Sequence, residues 1–354
     1  FTLKVDLMPD FEVADVTQFK IEKLVTDVTD DEVNQAIQRI AEQSRSYSAA
    51  PEGTAAEKDD SVVIDFTGRV DGEEFAGGKA EDFTIVLGSG QFVPGFEDQL
   101  VGAKAGESRE VKVTFPPDYP EPKLAGQDVV FSTTVKEIRK PDPVAIDDEL
   151  AKKVGLDSLG TLKDRVREQL RQDFARASRL HVKRRILDAL DQTHAFPLPE
   201  AMVQQEFDAI WRAVEAELQR EGKTAEDEGK SEEELKKEYH NIAERRVRLG
   251  LVIARLGEQN GIQVAPDEVN RAAAARARQY AMQAQMQGQQ VTEQQAFQML
   301  TQNQQAMAEI RAPLYEDKVV DFIAELAQVE DRKVDRETLF MDPDEAAEKL
   351  KSAS

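Results

Sequence analysis

The sequence predicts a multidomain α+β protein, in which an antiparallel β module carrying one short helix is inserted into a longer helical region. Three observations predict it. Between Ser61 and Ile138, apolar residues alternate with polar ones over short runs (Val62, Ile64, Phe66; Val111, Val113, Phe115; Val129, Phe131, Thr133, Val135). Period-two alternation bounded by turn residues is the pattern of half-buried antiparallel strands. From residue 145 onward β-branched and aromatic residues thin out, Ala, Glu, Gln, Arg and Leu dominate, and apolar positions recur at three- and four-residue spacing, as helices require. Finally, 354 residues exceed what a single domain usually holds.

Taken in order, residues 1–25 read as extended segments broken at Pro9, with Phe1, Leu3, Val5 and Leu7 alternating. Asp30 or Thr29 caps a helix whose apolar face is Val33, Ile37, Ile40 and Ala41, with Glu32 three residues after Thr29 in capping-box register. Ser44 to Lys58 reads as a polar linker, and residues 1–48 as the N-terminal part of the helical region. The β module occupies 49–139. Asp71-Gly72 marks a hairpin, because a type I′ turn needs two residues that tolerate positive φ. Val93 to Leu100 reads as a short helix laid across the sheet. Lys140-Pro141-Asp142-Pro143 is a second linker, followed by helical residues 140–330.

In that region a helix from about residue 159 carries Leu159, Leu162, Val166, Leu170, Phe174, Ala177 and Leu180, and continues towards Leu190. Pro197 and Pro199 force an extended link. The next helix carries Met202, Val203, Phe207, Ile210, Trp211, Val214 and Leu218 and ends at Gly222. Ser231-x-x-Glu234 caps another, closed by Asn260-Gly261. One more runs from Pro266 to Gly288, and Thr292-x-x-Gln295 caps its successor. The last ends near Val329, with Pro313 as a kink or boundary. Two helical hairpins can be drawn, about 199–257 and 264–328. Periodicity alone allows them to pack as a compact bundle or to project as arms. Residues 331–354 read as a charged, partly disordered tail.

Composition narrows the function. The net charge of −23 argues against a nucleic-acid groove as the main surface. With no cysteine, disulfides and thiolate metal sites are impossible. His181, His194 and His240 are too scattered for a metal site, so neither metal nor cofactor is expected. The acidic runs Asp147-Asp148-Glu149 and Glu226-Asp227-Glu228 read as helix starts or solvated loop. Gly88-Ser89-Gly90 is a tight loop without the following Lys of a phosphate cradle. No apolar run approaches 18 residues and no signal peptide is evident, which makes a cytoplasmic protein the simplest reading. The strand-like start without Met leads us to expect that something preceding it has been removed.

The β module is rich in aromatics, any of which is ordinarily core. Its motifs are more specific. VVIDFTGRVDGEEFAGG, then LGSGQFVPGFEDQLVGAKAGE, then FPPDY, resembles the FKBP-type peptidyl-prolyl isomerases, and is closest to the version carried by the trigger factor family of bacterial chaperones. An X–Pro amide rotates slowly against a resonance barrier of about 18–20 kcal/mol. Catalysis needs no nucleophile or metal, only an apolar site that excludes water and favours the twisted amide. The resemblance implies that Phe66, Phe75, Phe83, Phe92, Val93, Phe96, Tyr119 and Phe131 form it. Phe96 would lie beneath the proline ring, the Val93 N–H would donate to the substrate carbonyl, and Tyr119 would offer its hydroxyl at the rim. Ala76 stands where single-domain relatives carry an Asp that binds ligands, which puts macrolide binding in doubt.

The resemblance extends over the chain by layout and implies a chaperone domain with two helical-hairpin arms around the inserted isomerase. Exposed apolar residues on those arms would hold clients: Phe207, Ile210, Trp211 and Leu218 on one, and Met282, Met286, Met299 and Met307 on the other, where a Gln- and Met-rich stretch offers an adaptable surface. Each could instead be packing within its hairpin. Expected partners are unfolded or nascent polypeptides and X–Pro segments, with neither membrane nor direct DNA binding, and with homodimerisation left open. The ribosome would be reached only through the family's N-terminal ribosome-binding domain, which, with its Gly-Phe-Arg-x-Gly-Lys loop, is expected to be missing from this sequence. The implied function is an ATP-independent holding chaperone with prolyl isomerase activity. The alternative is a dedicated isomerase whose helices only oligomerise or dock it.

Overall fold

The computed structural model describes residues 9–352 apart from 117, 118, 120, 122, 144, 225, 226, 228, 287 and 288. The alternation of Phe1 to Leu7, and the prolines 120 and 122 of the loop tip, lie outside the described residues. The chain forms two compact units, one of residues 28–170 and one of residues 1–27 with 171–354. A 3-10 turn, Val16–Gln18, and strand β1 (Lys20–Val25) precede the first unit and belong to the second.

The first unit opens with helix α1 (Asp30–Gln43), whose capping box forms as expected, with the Thr29 hydroxyl accepting from the Glu32 amide and the Glu32 carboxylate accepting from that of Thr29. Then come β2 (Tyr47–Ala49), β3 (Ser61–Val70), β4 (Glu73–Val86), α2 (Phe96–Leu100), β5 (Ser108–Thr114), β6 (Asp128–Pro141) and α3 (Asp148–Lys153). The long helix α4 (Leu159–Thr193) begins here and ends in the second unit. The sheet runs β2-β6-β3-β4, all antiparallel, with β5 also paired to β6. Asp71 and Gly72 both have positive φ (49° and 88°), which the tight β3–β4 turn needs. The core takes one face of this sheet: Val62, Ile64, Phe66, Val111, Val129, Phe131 and Val135, closed by Phe96 and Leu100 of α2.

Both expected linkers are in part strand. Tyr47–Ala49 adds an edge to β6 opposite Arg139–Pro141, and Ala56 is fully buried. Backbone pairing of this kind depends on extended geometry and not on side-chain hydrophobicity, so a polar stretch does not reveal it. The compact unit also reaches beyond 49–139, because α1, α3 and the start of α4 close a separate core of Val33, Ile37, Leu150, Leu162 and Val166.

In the second unit, α5 (Glu200–Glu221), α6 (Glu232–Gln259), α7 (Pro266–Met286), α8 (Glu293–Gln302) and α9 (Gln304–Leu326) follow α4. The later part of α4 packs with α6, α9 and β1 around Ile21, Ile186, Leu190, Val252, Val320 and Ile323. Leu180, counted on the apolar stripe of α4, is 57% exposed. The α5–α6 pair has its own core at Val203, Ala243, Val247 and Leu251, and α7 to α9 share another at Val269, Ala273 and Ile310. The capping boxes at Ser231 and Thr292 form as expected. Pro313 lies inside α9, while the boundary falls at Asn303, whose side chain accepts from the amides of Gln305 and Ala306.

The C-terminal tail requires a correction. Strand β7 (Gln328–Lys333) pairs in parallel with β1, and α10 (Arg336–Phe340) and α11 (Pro343–Ser352) follow. Leu339 is 1% exposed, and Phe340 meets Phe174 edge-on at 5.5 Å. Asp335 caps α10 by accepting from Thr338. Charge density misleads here because one cap and a few well-placed apolar side chains suffice to order so short a segment.

Candidate functional site: an aromatic basin on the sheet

The basin begins with the sheet's alternation. Phe66 on β3 and Phe131 on β6 point to the covered face and meet at 5.8 Å, nearly edge to face. Phe75 on β4 joins Phe131 at 6.2 Å and Phe115 at 6.3 Å. Its ring is seated by glycines, since a Cβ on Gly68 would lie 2.8 Å from Phe75 and 2.6 Å from Phe131, and one on Gly78 would lie 2.9 Å from Phe75. Edge-to-face contacts of this kind match the positive ring edge to the negative ring face.

Helix α2 crosses the sheet through defined contacts. The Gln99 side-chain amide donates to the carbonyls of Gly95 and Lys112 and accepts from the Lys112 N–H. Arg109 on β5 donates to the last carbonyls of the helix turn, Gln99 and Val101. Gly95, with φ +83°, makes the turn that sends Phe96 into the core.

The resulting cavity holds about 320 Å³ and is lined by Phe66, Phe75, Gly77, Gln91, Phe92, Val93, Pro94, Phe115, Pro116, Tyr119 and Phe131. Six of the eight residues expected there are brought together. Phe96 is completely buried and lies under Phe92, 4.2 Å between centroids at 30°, so Phe92 presents the surface and Phe96 supports it. Phe83, 39% exposed, touches Phe66 and Phe92 edge-on but does not line the cavity. Sequence reasoning missed Phe115 and Pro116 as wall. The Phe-Pro-Pro-Asp-Tyr motif could have found them, since Phe115 meets Tyr119 at 4.5 Å. The Val93 N–H has no acceptor among the described residues, as a donor awaiting a carbonyl would require. The side chain of Ala76 lies outside the described residues.

The residues expected to hold clients fall into two groups. Met282, Met286 and Met299 are 62%, 72% and 60% exposed. Met307 is half-buried against the α7–α9 core, and Phe207 and Ile210 pack on that of α5–α6. Trp211 donates to Glu215 and carries Lys236 over its ring at 5.2 Å. Leu218 is half-buried. Among the described residues no group of three or more His, Asp or Glu could hold a metal ion, and no helix is long and apolar enough to cross a membrane.

Sheet, crossing helix and basin define an FKBP-type peptidyl-prolyl isomerase domain, and residues 52–136 match the family profile of that description. Residues 1–40 match the profile described as bacterial trigger factor protein (TF), and residues 158–325 the one for its C-terminus. Trigger factor of Parvibaculum lavamentivorans is 48% identical over 344 residues, which cover 97% of this chain and 66% of that protein. Trigger factor of Methylobacterium sp. (strain 4-46) is 51% identical over 355 residues, covering 100% and 71%. A solved structure reported as "Promiscuous Substrate Recognition in Folding and Assembly Activities of the Trigger Factor Chaperone" matches in fold, with TM-score 0.61 and 19% identity over 90% of this chain and 73% of that one. The chain belongs to the trigger factor family. It spans 66% to 74% of the length of such relatives. The match at residues 1–40 amends the expectation that the family's N-terminal domain is wholly missing, because part of that domain's sequence is present.

Proposed function

We propose that this chain holds unfolded or newly made polypeptides without nucleotide and speeds cis–trans isomerisation of their X–Pro bonds. The observation that carries the isomerase half is the apolar basin of about 320 Å³, lined in part by Val93, whose N–H has no acceptor among the described residues. A twisted X–Pro amide is less charge-separated than a planar one and gains from leaving water. The aromatic walls take the proline ring, Val93 takes the carbonyl, and Tyr119 closes the rim. Each differential gain of about 1.4 kcal/mol in the transition state is worth tenfold in rate.

The holding half rests on Met282, Met286 and Met299, whose flexible thioethers adapt to many apolar sequences. Action in the cytoplasm fits an isomerase that meets polypeptides as they are made. Any ribosome contact would run through the family's N-terminal domain, whose profile residues 1–40 match in part. The basic stretch Arg176–Arg185 does not supply a second dock. Arg179 pairs with Asp317 and Asp321, Lys183 with Glu316 and Asp317, Arg184 with Asp188 and Asp344, and Arg185 with Glu22. Suppression of aggregation of a denatured protein, measured for the full chain and for a chain deleted of residues 50–139, tests the division of labour. Suppression retained by the deleted chain supports the chaperone reading. Suppression lost with the isomerase module would favour a dedicated isomerase whose helices only dock or oligomerise it.

A further inference from the structure

We infer that Glu97 is a positioning residue for the isomerase reaction, holding the loop Gly88–Phe92 so that the Val93 N–H meets the substrate carbonyl in the transition state. The inference rests on the isomerase reading of the basin.

Glu97 directly follows Phe96 on α2 and is 6% exposed. Its carboxylate accepts from the amides of Gly88 at 2.7 Å, Gly90 at 3.0 Å and Phe92 at 3.2 Å, and from the Ser89 hydroxyl at 3.2 Å. Gly88 and Gly90 have φ of +89° and +71°, which curls successive N–H groups toward one point. Such a nest of amides binds an anion, and here the protein supplies its own. A buried carboxylate left unpaired would be costly, so the arrangement is worth building only if the loop is held in return.

What the carboxylate fixes is the strip of backbone that lines the basin. The Phe92 N–H is held by Glu97, and the Val93 carbonyl accepts from the Phe96 N–H at 3.1 Å. The peptide unit joining Phe92 to Val93 is therefore gripped on both sides, and its own N–H, on a residue that lines the cavity, has no acceptor among the described residues. One short helix thus buries Phe96 under Phe92 and clamps the loop that carries Phe92. A donor that acts on the twisted amide pays off only if it is already oriented when the amide twists.

The test is exchange NMR of an X–Pro tetrapeptide with this chain, separating kcat from KM, for wild type, Glu97→Gln and Ser89→Ala. The Gln variant keeps shape and one acceptor oxygen but turns an NH2 toward amide donors. We expect its kcat to fall at least about tenfold with KM changed less than about twofold. Ser89→Ala, which removes one exposed donor, should lower kcat about two- to threefold. Amide resonances of Gly88, Gly90 and Phe92 should shift in both variants. A folded Glu97→Gln protein with wild-type kcat, or a loss confined to KM or explained by the unfolded fraction, overturns the inference. If Glu97→Gln does not fold, an unchanged kcat in Ser89→Ala overturns it alone. No acceleration by the wild-type chain would instead sink the isomerase reading itself.

Discussion

Phe92 covers Phe96: their rings lie 4.2 Å apart at 30°, with Phe92 half-buried at the cavity wall and Phe96 fully buried beneath. The pair separates contact with substrate from support of the fold. Phe92→Ala should lower kcat/KM at least tenfold, about 1.4 kcal/mol, with a modest change in melting. Phe96→Ala should cost about 3–5 kcal/mol of domain stability and lower activity by disordering Phe92. Thermal melts beside peptide isomerisation check this. Equal activity losses with equal stability losses would merge the two roles.

Acid should weaken the isomerase module through Glu97. Burial pushes its carboxyl up, but the amides of Gly90, Phe92 and Gly88 and the Ser89 hydroxyl together outweigh that and hold it below the usual 4.5. A folded value below the unfolded one means protonation favours unfolding. The contribution is complete above 4.5 and disappears as pH falls through the depressed folded value. Denaturant melts of wild type between about pH 7 and 3 should lose more stability than those of Glu97→Gln. Parallel curves would contradict this.

Replacing Met282, Met286 and Met299 together by Gln should leave the fold and peptide isomerisation intact, because all three are exposed. Suppression of aggregation of a denatured protein should fall severalfold. Undiminished suppression would place client contact elsewhere, with the α5 face around Trp211 as the next candidate.

Leu339→Ala should destabilise the second unit by about 2–5 kcal/mol, the usual cost of truncating a buried Leu. Leu339 is 1% exposed, and its carbonyl accepts from the buried His181 ring at 2.9 Å. A variant as stable as wild type would show that α10 adds nothing to the fold.

Neutralising Arg179 and Arg185 to Gln should not reduce co-sedimentation with ribosomes at low salt, since each already faces a carboxylate. Rescue of binding by lower salt, lost in the double variant, would reveal a phosphate contact.

The alternation of Val62, Ile64 and Phe66 and the Asp-Gly turn made the sheet legible, because period two and positive φ are local properties. The three capping boxes were legible for the same reason. The basin was legible in large part through the motif and its resemblance, yet the vertical order of Phe92 and Phe96 was not. That order depends on Gly95 turning α2 downward, a property of backbone direction rather than residue type. The pairing of β2 with β6 and of β1 with β7 joins residues far apart in sequence and leaves no periodic trace. Nothing local in the sequence sets Glu97 apart, because its partners are loop amides turned toward it by the positive φ of Gly88 and Gly90.

If the basin accelerates rotation about an X–Pro bond, exchange NMR on a peptide with populated cis and trans forms will show it with this chain at catalytic concentration. Cross-peaks between the cis and trans proline resonances that appear with wild type and fade with Phe92→Ala and Tyr119→Ala are the predicted result. Exchange no faster than in free peptide, or acceleration untouched by either substitution in folded protein, would contradict it.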